Sequence, residues 1–368
     1  MSWHAVEAVD RAVDATRRFL FPFEAVRWAK LAFLALVMAG GGAGTSGAAT
    51  WSLGSPAGGV GAGNGIDPIE PESVPLGAER VVRTGVERVA ELDPALLAGL
   101  ALGAVLVGAV LLVCSIAFRL VFYDALSTTE VALWGPFRDR FRQALGLFGF
   151  AAVTAVVAGL PAVALAAALD PDVLRVLGLS VRGLSDRPPV ATPVVGVLGV
   201  LGVGVALVAT VVSRLTFEFV APTMVRRDVG VVAGWRKVWA SFRGSRAEVA
   251  VYLAIHLVLA AGVGAVQAAA VAFVGGGVAV AGLVALLLVA ASLGGVAALI
   301  GTTPGVIALV AVLVCSIAAV AILTLPVTLV ARTYLIAYEV STLAGIDPDI
   351  APLAPTLVAS DEPEPPGE

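Results

Sequence analysis

The chain has 368 residues, of which 59% are hydrophobic, and its mean hydropathy is +0.98. A soluble core of this length cannot bury so much apolar surface, so the composition excludes a soluble globular protein. All 23 basic and 27 acidic residues can be placed outside the long apolar runs, which fits the high cost of an unpaired charge inside a bilayer. Lys30 and Lys237 are the lysines, and the isoelectric point is about 5.3, which excludes a basic surface for nucleic acid.

The N-terminal segment 3–20 is predicted to be an amphipathic helix that lies in the membrane interface. The alternative is a soluble helix packed on the loops. Residues 1–30 lack the apolar core of a signal peptide, so the first apolar run is expected to remain as a membrane anchor. The apolar face of the helix consists of Trp3, Val6, Val9, Val13 and Leu20.

Six membrane spans are predicted from the apolar runs. The second begins after Asp93, a helix-capping residue, with Pro94 at the first helical position. The third contains Pro161, which should kink it. The first is the least hydrophobic, because its second half is rich in glycine. The six spans lie near 31–50, 95–118, 143–169, 193–213, 249–274 and 305–331.

A short internal repeat groups the spans into three units, each an interfacial segment followed by a span out and a span back. The second span ends in the sequence RLVF from Arg119, and the fourth ends in RLTF from Arg214. Each is followed by a segment that places Trp, Phe and Arg at the same spacing before the next span. Arg332 marks a similar exit from the last span.

The apolar stretch 249–331 is too short for four spans with loops, so two spans are favoured. The material between them, 275–304, is then predicted to be a membrane-embedded excursion whose backbone is helical or covered by protein. Seven full spans, with the C-terminus outside, are the alternative.

Basic residues predict the orientation, because cytoplasmic loops carry an excess of Arg and Lys. Segments 1–30, 119–142 and 214–248 carry most of them, so the N-terminus, and with six spans the C-terminus, should face the cytoplasm of a cell that holds the chain in its plasma membrane. The loop 45–93 is then external. The tail 346–368 is rich in Pro and acidic residues and is predicted to be disordered.

Catalytic and metal-binding motifs are missing from the sequence. It contains no HExxH, Walker A, GxSxG or CxxC pattern, and it has two histidines and two cysteines. We therefore predict no enzyme activity, no catalytic residue, no cofactor and no metal site.

His256 and Gln267 form the sharpest polar feature within a predicted span. They lie eleven residues apart on one helical face, about 16 Å along the axis, with Ala260 and Gly264 between them. Either this face is a proton or ligand path, or it is a close helix contact held by side-chain hydrogen bonds, which we favour.

Two pairs of basic residues are candidate contacts for anionic lipid headgroups, each residue contributing about 1 kcal/mol near a membrane surface. Their role in orienting the chain would also explain them. They are Arg226, Arg227, Arg236 and Lys237.

The opening segment 8–23, followed by the RWAKL sequence from Arg27 and a Gly-rich span, resembles a group of uncharacterised haloarchaeal multi-pass membrane proteins. A haloarchaeal origin would fit the scarcity of lysine. The repeated unit is similar in layout to the membrane domain attached to some glycerophosphodiester phosphodiesterases. Neither resemblance implies site residues, and catalysis is not implied, because the phosphodiesterase domain itself has no counterpart here.

The fold class predicted from the sequence is all-α, a polytopic membrane helix bundle with about six transmembrane helices. We expect a non-enzymatic membrane scaffold or assembly component, which needs no buried ions. The alternative is a transporter or permease for a lipid or a small apolar solute. The expected partners are membrane lipids, together with a homo-oligomer or other membrane proteins.

Overall fold

The computed structural model describes residues 4–40, 93–169 and 192–357. These residues are helical apart from short turns, with no strand among them, which confirms the predicted all-α bundle. The helices are α1 (His4–Leu20), α2 (Ala25–Gly40), α3 (Pro94–Thr128), α4 (Trp134–Leu169), α5 (Thr192–Leu215), α6 (Ala221–Arg227), α7 (Val231–Phe242), α8 (Arg246–Ser292), α9 (Ala297–Gly301) and α10 (Thr303–Ile346). A π-helical turn, Thr216–Val220, joins α5 to α6, and two 3₁₀ turns, Pro348–Ile350 and Pro355–Leu357, follow α10.

Within the described residues, five helices are long and apolar enough to cross a membrane: α3, α4, the continuous stretch from α5 to α6, α8 and α10. They correspond to the second to sixth predicted spans. The first predicted span, 31–50, begins in α2, but residues 41–50 lie outside the described part of the chain, as do the predicted external loop up to residue 92 and Trp3. The start of α3 matches the sequence signal, because Asp93 Oδ1 accepts a hydrogen bond from the backbone N–H of Ala95 at 2.9 Å.

Apolar side chains cover the outside of the five long helices. The most apolar window of each helix is 6% buried or less, so lipid must cover these surfaces. The buried core lies at one end of the bundle, which we call the core end. There the last turns of α3 and α10 pack with α1, α6, α7, the π-helical turn and the start of α8.

Most of the predicted excursion at 275–304 is helical, and the break between it and the preceding span lies later than residue 274. Residues 275–292 continue α8, which is 47 residues long and therefore about 70 Å. The chain turns at Gly294 and Gly295, whose φ angles of 90° and 138° disfavour any residue with a side chain. The run of glycines from Gly275 does not break the helix, because apolar helix-forming neighbours continue it on both sides. Thus α8 and α10 form one long antiparallel hairpin.

Gly305 closes the turn between α9 and α10. A Cβ atom at this position would lie 2.6 Å from Leu299 Cα and 2.7 Å from Leu299 O. These are backbone atoms of a packed turn, so Gly305→Ala should force α9 away from α10 and lower the free energy of unfolding by about 1–3 kcal/mol.

Gly275→Ala is the matched control, because no atom lies within 4 Å of its Cβ position. Alanine is the better helix former by about 1 kcal/mol, so this variant should be neutral or more stable. Unfolding of both variants in mixed detergent and SDS micelles measures the difference. Equal stability of the two variants would contradict the close approach at Gly305.

Helix α1 packs along the last turns of α10 through a stripe of alanines rather than through its valines. Ala5, Ala8 and Ala12 are fully buried, whereas Val6 and Val13 are exposed. Of the predicted apolar stripe, Leu20 is buried and Val9 packs against the core, so only part of the stripe faces outward. Small residues allow the close helix contact, as seen where His4 Cβ lies 2.9 Å from the Cβ position of Gly345. The valine face remains available to the membrane interface.

The first part of the predicted disordered tail is folded, so the boundary at residue 346 needs correction. Ile350, Ala354 and Leu357 are buried in the core, and the N–H of Ala354 donates a hydrogen bond to the carbonyl of Leu126 at 3.2 Å. The apolar residues among the prolines explain this packing, because they supply surface to bury. Residues 358–368 lie outside the described part of the chain.

Candidate functional site

Six polar side chains meet inside the core end, and we call them the buried polar cluster. They come from α3, the π-helical turn, α8 and α10. Each is at most 2% exposed. The cluster consists of Arg119, Tyr123, Glu218, Tyr252, His256 and Glu339.

Arg119 and Glu339 form a buried ion pair between α3 and α10. The Nη2 atom of Arg119 lies 3.2 Å from Oε2 of Glu339, and the two side chains are 3% and 1% exposed. Tyr123, one turn after Arg119, accepts a hydrogen bond from Arg119 Nε at 3.1 Å and lies 3.3 Å from the same Glu339 oxygen. The guanidinium also lies over the ring of Phe217, 5.6 Å from its centroid.

Glu218 reaches the cluster because the helix widens locally into a π-helical turn. The N–H of Ala221 bonds to the carbonyl of Thr216, five residues earlier. Pro222 favours this departure, because it has no N–H to offer to the carbonyl of Glu218. Such single π turns occur often at functional sites. Here the turn carries a carboxylate into the core, beside α8.

Tyr252 and His256 stand one turn apart on α8 and face Glu218. The Tyr252 hydroxyl lies 2.9 Å from Glu218 Oε2 and 3.1 Å from His256 Nδ1. On its other side the Tyr252 ring stacks on Tyr338, with centroids 5.5 Å apart and planes at 10°. His256 Nε2 lies 3.4 Å from Glu218 Oε1.

A cavity of about 260 Å³ opens beside the cluster. Three arginines line it, each from a different membrane helix near the end of that helix's apolar run: Arg119 from α3, Arg214 from α5 and Arg332 from α10. We call it the three-arginine pocket. Its other lining residues are Met38, Leu257, Ala260, Ala261, Val263, Gly264, Gln267, Leu335, Ile336 and Glu339.

The pocket is amphipathic and carries a net positive charge. Glu339 balances Arg119. Arg214 and Arg332 have no carboxylate within 4.0 Å among the described residues. The remaining wall, from α2, α8 and α10, is formed mainly by small and aliphatic side chains. A ligand with an anionic headgroup and an apolar tail fits such a surface. Arginine binds phosphate and carboxylate in a planar, bidentate manner, and the aliphatic wall can contact the tail.

The two residues of the predicted intramembrane face lie in adjacent but different surroundings. Gln267 lines the three-arginine pocket together with Ala260 and Gly264. His256 points into the buried polar cluster. The stripe between them is therefore a pocket wall along α8 in this region, and not solely a contact between two helices.

The four predicted lipid-headgroup residues lie away from the pocket, on α6 and α7. All four side chains are exposed: Arg226, Arg227, Arg236 and Lys237. Arg227 Nη2 lies 3.5 Å from Asp349 Oδ2, so an acid from the C-terminal segment partly neutralises it.

The protein buries charged side chains, contrary to the expectation from the sequence. The scaffold hypothesis assumed that the protein buries no ions, yet Arg119, Glu218 and Glu339 are all buried. These residues lie just beyond the apolar runs in sequence, so they were interpreted as parts of the polar connections. Helices α3 and α10 continue past the apolar runs, so Arg119 and Glu339 lie on helix inside the core end.

The sequence alone did not place the three arginines of the repeat at one cavity, and it did not single out Glu218 or Tyr252. Arg119, Arg214 and Arg332 were identified as equivalent exits from three spans, and that equivalence is the signal that could have placed them at one pocket. No comparable pattern marks Glu218, because its position depends on the π-helical turn.

The chain was compared with known proteins and families. Neither a curated protein nor a solved structure matches it. A family model does match, over residues 3–353, and its description is a family of unknown function, DUF7544. That match covers nearly the whole chain. The chain therefore belongs to the DUF7544 family, whose function is unknown.

Proposed function

We propose that this protein binds an anionic lipid, holding the headgroup phosphate in the three-arginine pocket. The observation that carries the proposal is the convergence of Arg119, Arg214 and Arg332 on a cavity whose remaining wall is mainly apolar. A phosphate would accept hydrogen bonds from the guanidinium groups, each contributing about 1.5–3 kcal/mol when charged groups take part. The acyl chains would follow the exposed apolar surfaces of α8 and α10.

Among the functions that the sequence left open, the pocket favours lipid handling over a scaffold. A scaffold needs helix packing but no unpaired arginines beside a cavity. A permease for an apolar solute needs the apolar wall but not the arginines. An anionic lipid uses both parts, so we propose a non-enzymatic lipid-binding protein that acts as a permease for such a lipid.

Retention of phosphatidylglycerol tests the proposal. The full-length protein would be reconstituted in nanodiscs that contain phosphatidylcholine and a minority of phosphatidylglycerol, and bound lipid would be measured by native mass spectrometry. We expect Arg214→Gln with Arg332→Gln to lower phosphatidylglycerol retention at least tenfold, since tenfold corresponds to about 1.4 kcal/mol.

The matched control is Arg226→Gln with Arg227→Gln, which removes the same number of charges from the exposed surface of α6. This pair should change retention less than twofold. Inorganic phosphate added to a parallel sample separates the two sources of phosphate. If it displaces the lipid at equal concentration, the pocket binds free phosphate instead. If the α6 pair causes the larger loss, the pocket is not the lipid site.

Movement of fluorescent phosphatidylglycerol between the leaflets of liposomes tests the permease role in the same variants. Loss of movement in the Arg214 and Arg332 double variant, with normal movement in the α6 pair, is the expected result. If the wild type retains phosphatidylglycerol but does not move it between the leaflets, the protein binds the lipid without being a permease, and the permease role is overturned.

A further inference from the structure

Three side chains in the buried polar cluster each present an atom without a hydrogen-bond partner among the described residues. These atoms are Glu218 Oε1, His256 Nε2 and Glu339 Oε1. Ligand atoms of the same three side chains all lie within 4.8 Å of one another. All three residues are fully buried. Leaving a polar group buried and unpaired costs about 1–3 kcal/mol, and more for a charged group. A ligand that bonded all three atoms would remove this cost at one place in the core.

The hydrogen bonds around His256 direct a nitrogen lone pair toward this point. The Tyr252 hydroxyl has one proton, and the carboxylate of Glu218 can only accept it, at 2.9 Å. Nδ1 of His256, 3.1 Å from the same hydroxyl, must then be the protonated nitrogen that donates to the Tyr252 oxygen. Nε2 is left as an acceptor. A histidine that binds a metal typically donates a hydrogen bond from its other ring nitrogen, and this bond fixes the tautomer.

A doubly protonated imidazole explains the geometry less well. Its Nε2–H would form a charge-assisted hydrogen bond with Glu218 Oε1, and such bonds are about 2.7–2.9 Å long. The observed separation is 3.4 Å. Two ligands at about 2.05 Å from a tetrahedral zinc ion stand about 3.3 Å apart, which is close to the observed separation.

Two acids lie together at this point, and Arg119 and Arg214 supply positive charge beside them. Glu218 and Glu339 contribute two carboxylates, and the guanidinium of Arg119 pairs with the opposite oxygen of Glu339. Arg119 therefore neutralises Glu339, while Oε1 of each acid has no hydrogen-bond partner among the described residues. A divalent ion would satisfy the three unpaired atoms together and remove the repulsion between the two acids.

We propose that Glu218, His256 and Glu339 bind a divalent transition-metal ion, best suited to Zn²⁺. One imidazole and two carboxylates are the nitrogen and oxygen ligands that zinc accepts, whereas calcium and magnesium prefer oxygen ligands throughout. Glu339 must move toward the other two ligands to bring the longest separation to a tetrahedral value. The ion would tie the π-helical turn to α8 and α10, and it would lie beside the three-arginine pocket, because Glu339 belongs to both sites.

Zinc titration of the purified full-length protein tests this site. The protein would be stripped with a chelator in a neutral detergent without anionic lipid, and Zn²⁺ binding would be followed by calorimetry and by elemental analysis. We expect one zinc ion per chain. In His256→Asn, zinc binding should weaken at least 100-fold, because the amide can keep the hydrogen bond to Tyr252 but offers no atom at the position of Nε2.

His4→Asn is the matched control, since His4 is the other histidine of the chain and lies on α1, outside the cluster. It should bind zinc as the wild type does. Tyr252→Phe should weaken binding about 10- to 100-fold, the usual effect of losing a partner of a metal ligand. Chelation should also lower the melting temperature of the wild type but not that of His256→Asn, a readout that remains informative if the variants are less stable.

A stripped wild type that takes up no Zn²⁺ or Mn²⁺ at micromolar concentration would overturn the metal site and leave a proton shared by the two acids and the imidazole. Equal zinc binding by wild type and His256→Asn would overturn it as well. The proposal does not depend on lipid binding. The Arg214 and Arg332 double variant should keep its zinc, so a failure of the lipid proposal is distinguishable from a failure of this one.

Discussion

Replacing Arg119 by methionine should lower the free energy of unfolding by about 3–5 kcal/mol, which is the usual cost of removing one partner from a buried ion pair. The guanidinium lies 3.2 Å from Glu339, and both side chains are almost completely buried. Without it, the carboxylate loses its counter-charge, and the Tyr123 hydroxyl has only one proton to share between Glu339 Oε2 at 3.3 Å and the Phe217 carbonyl at 3.0 Å. The energetic cost lies mainly in the ion that remains, not in the contact that is lost.

A double-mutant cycle separates these two contributions. Glu339→Gln alone should also destabilise the protein, because it leaves the arginine buried without its counter-charge. Arg119→Met with Glu339→Gln leaves neither ion, so its stability should be well above that expected from adding the two single losses. Unfolding in mixed detergent and SDS micelles with a chelator present gives all three values without a contribution from bound metal. Losses that simply add would show that the two residues do not interact.

Features of the fold that depend on neighbouring residues or on composition were predictable from the sequence. The start of α3 is one case, since Asp93 caps the helix as its identity and the following proline suggested. The fold class is another, because the apolar runs are long enough to require helices in lipid. Both inferences depend on neighbouring residues and on composition, which the sequence shows directly.

Helix ends inside the apolar stretch 249–331 were harder to place. Glycines at 275–277 and at 294–295 look alike in sequence, yet α8 continues through the first group and ends before the second. Helix propensity differs by only about 1 kcal/mol between glycine and alanine. Packing therefore decides which group forms the turn, and here α10 packs against α8 beyond the first group, where Gly282 meets Ser316.

The candidate site was the least predictable part. The arginine repeat gave three equivalent positions, but nothing in it shows that the three arginines line one cavity. Glu218 depends on a single π-helical turn, and Tyr252 depends on which face of α8 meets that turn. Such long-range placements follow from tertiary packing and not from periodicity.

Phe219→Ala should lower the free energy of unfolding by about 3–5 kcal/mol, the usual cost of deleting a buried aromatic side chain. Phe219 is fully buried and meets two aromatic rings edge to face. Its centroid lies 4.9 Å from that of Phe242 and 4.7 Å from that of Tyr252. The side chain therefore packs the π-helical turn against α7 and α8 and helps to hold Tyr252 in place beneath Glu218. Phe219→Leu keeps much of the volume and should cost less than half as much.

Phe273→Ala is the matched control, because the same side chain is 86% exposed on the apolar surface of α8. In lipid or detergent this residue has the same apolar surroundings whether its helix is packed or apart. Its removal should change stability by no more than about 0.5 kcal/mol. The contrast distinguishes the packed core end from the lipid-covered helices, since both changes delete one benzyl group. A large loss at Phe273 would mean that another helix or a second copy of the chain covers that surface. A small loss at Phe219 would mean that the core end is not the packed unit that positions the buried polar cluster.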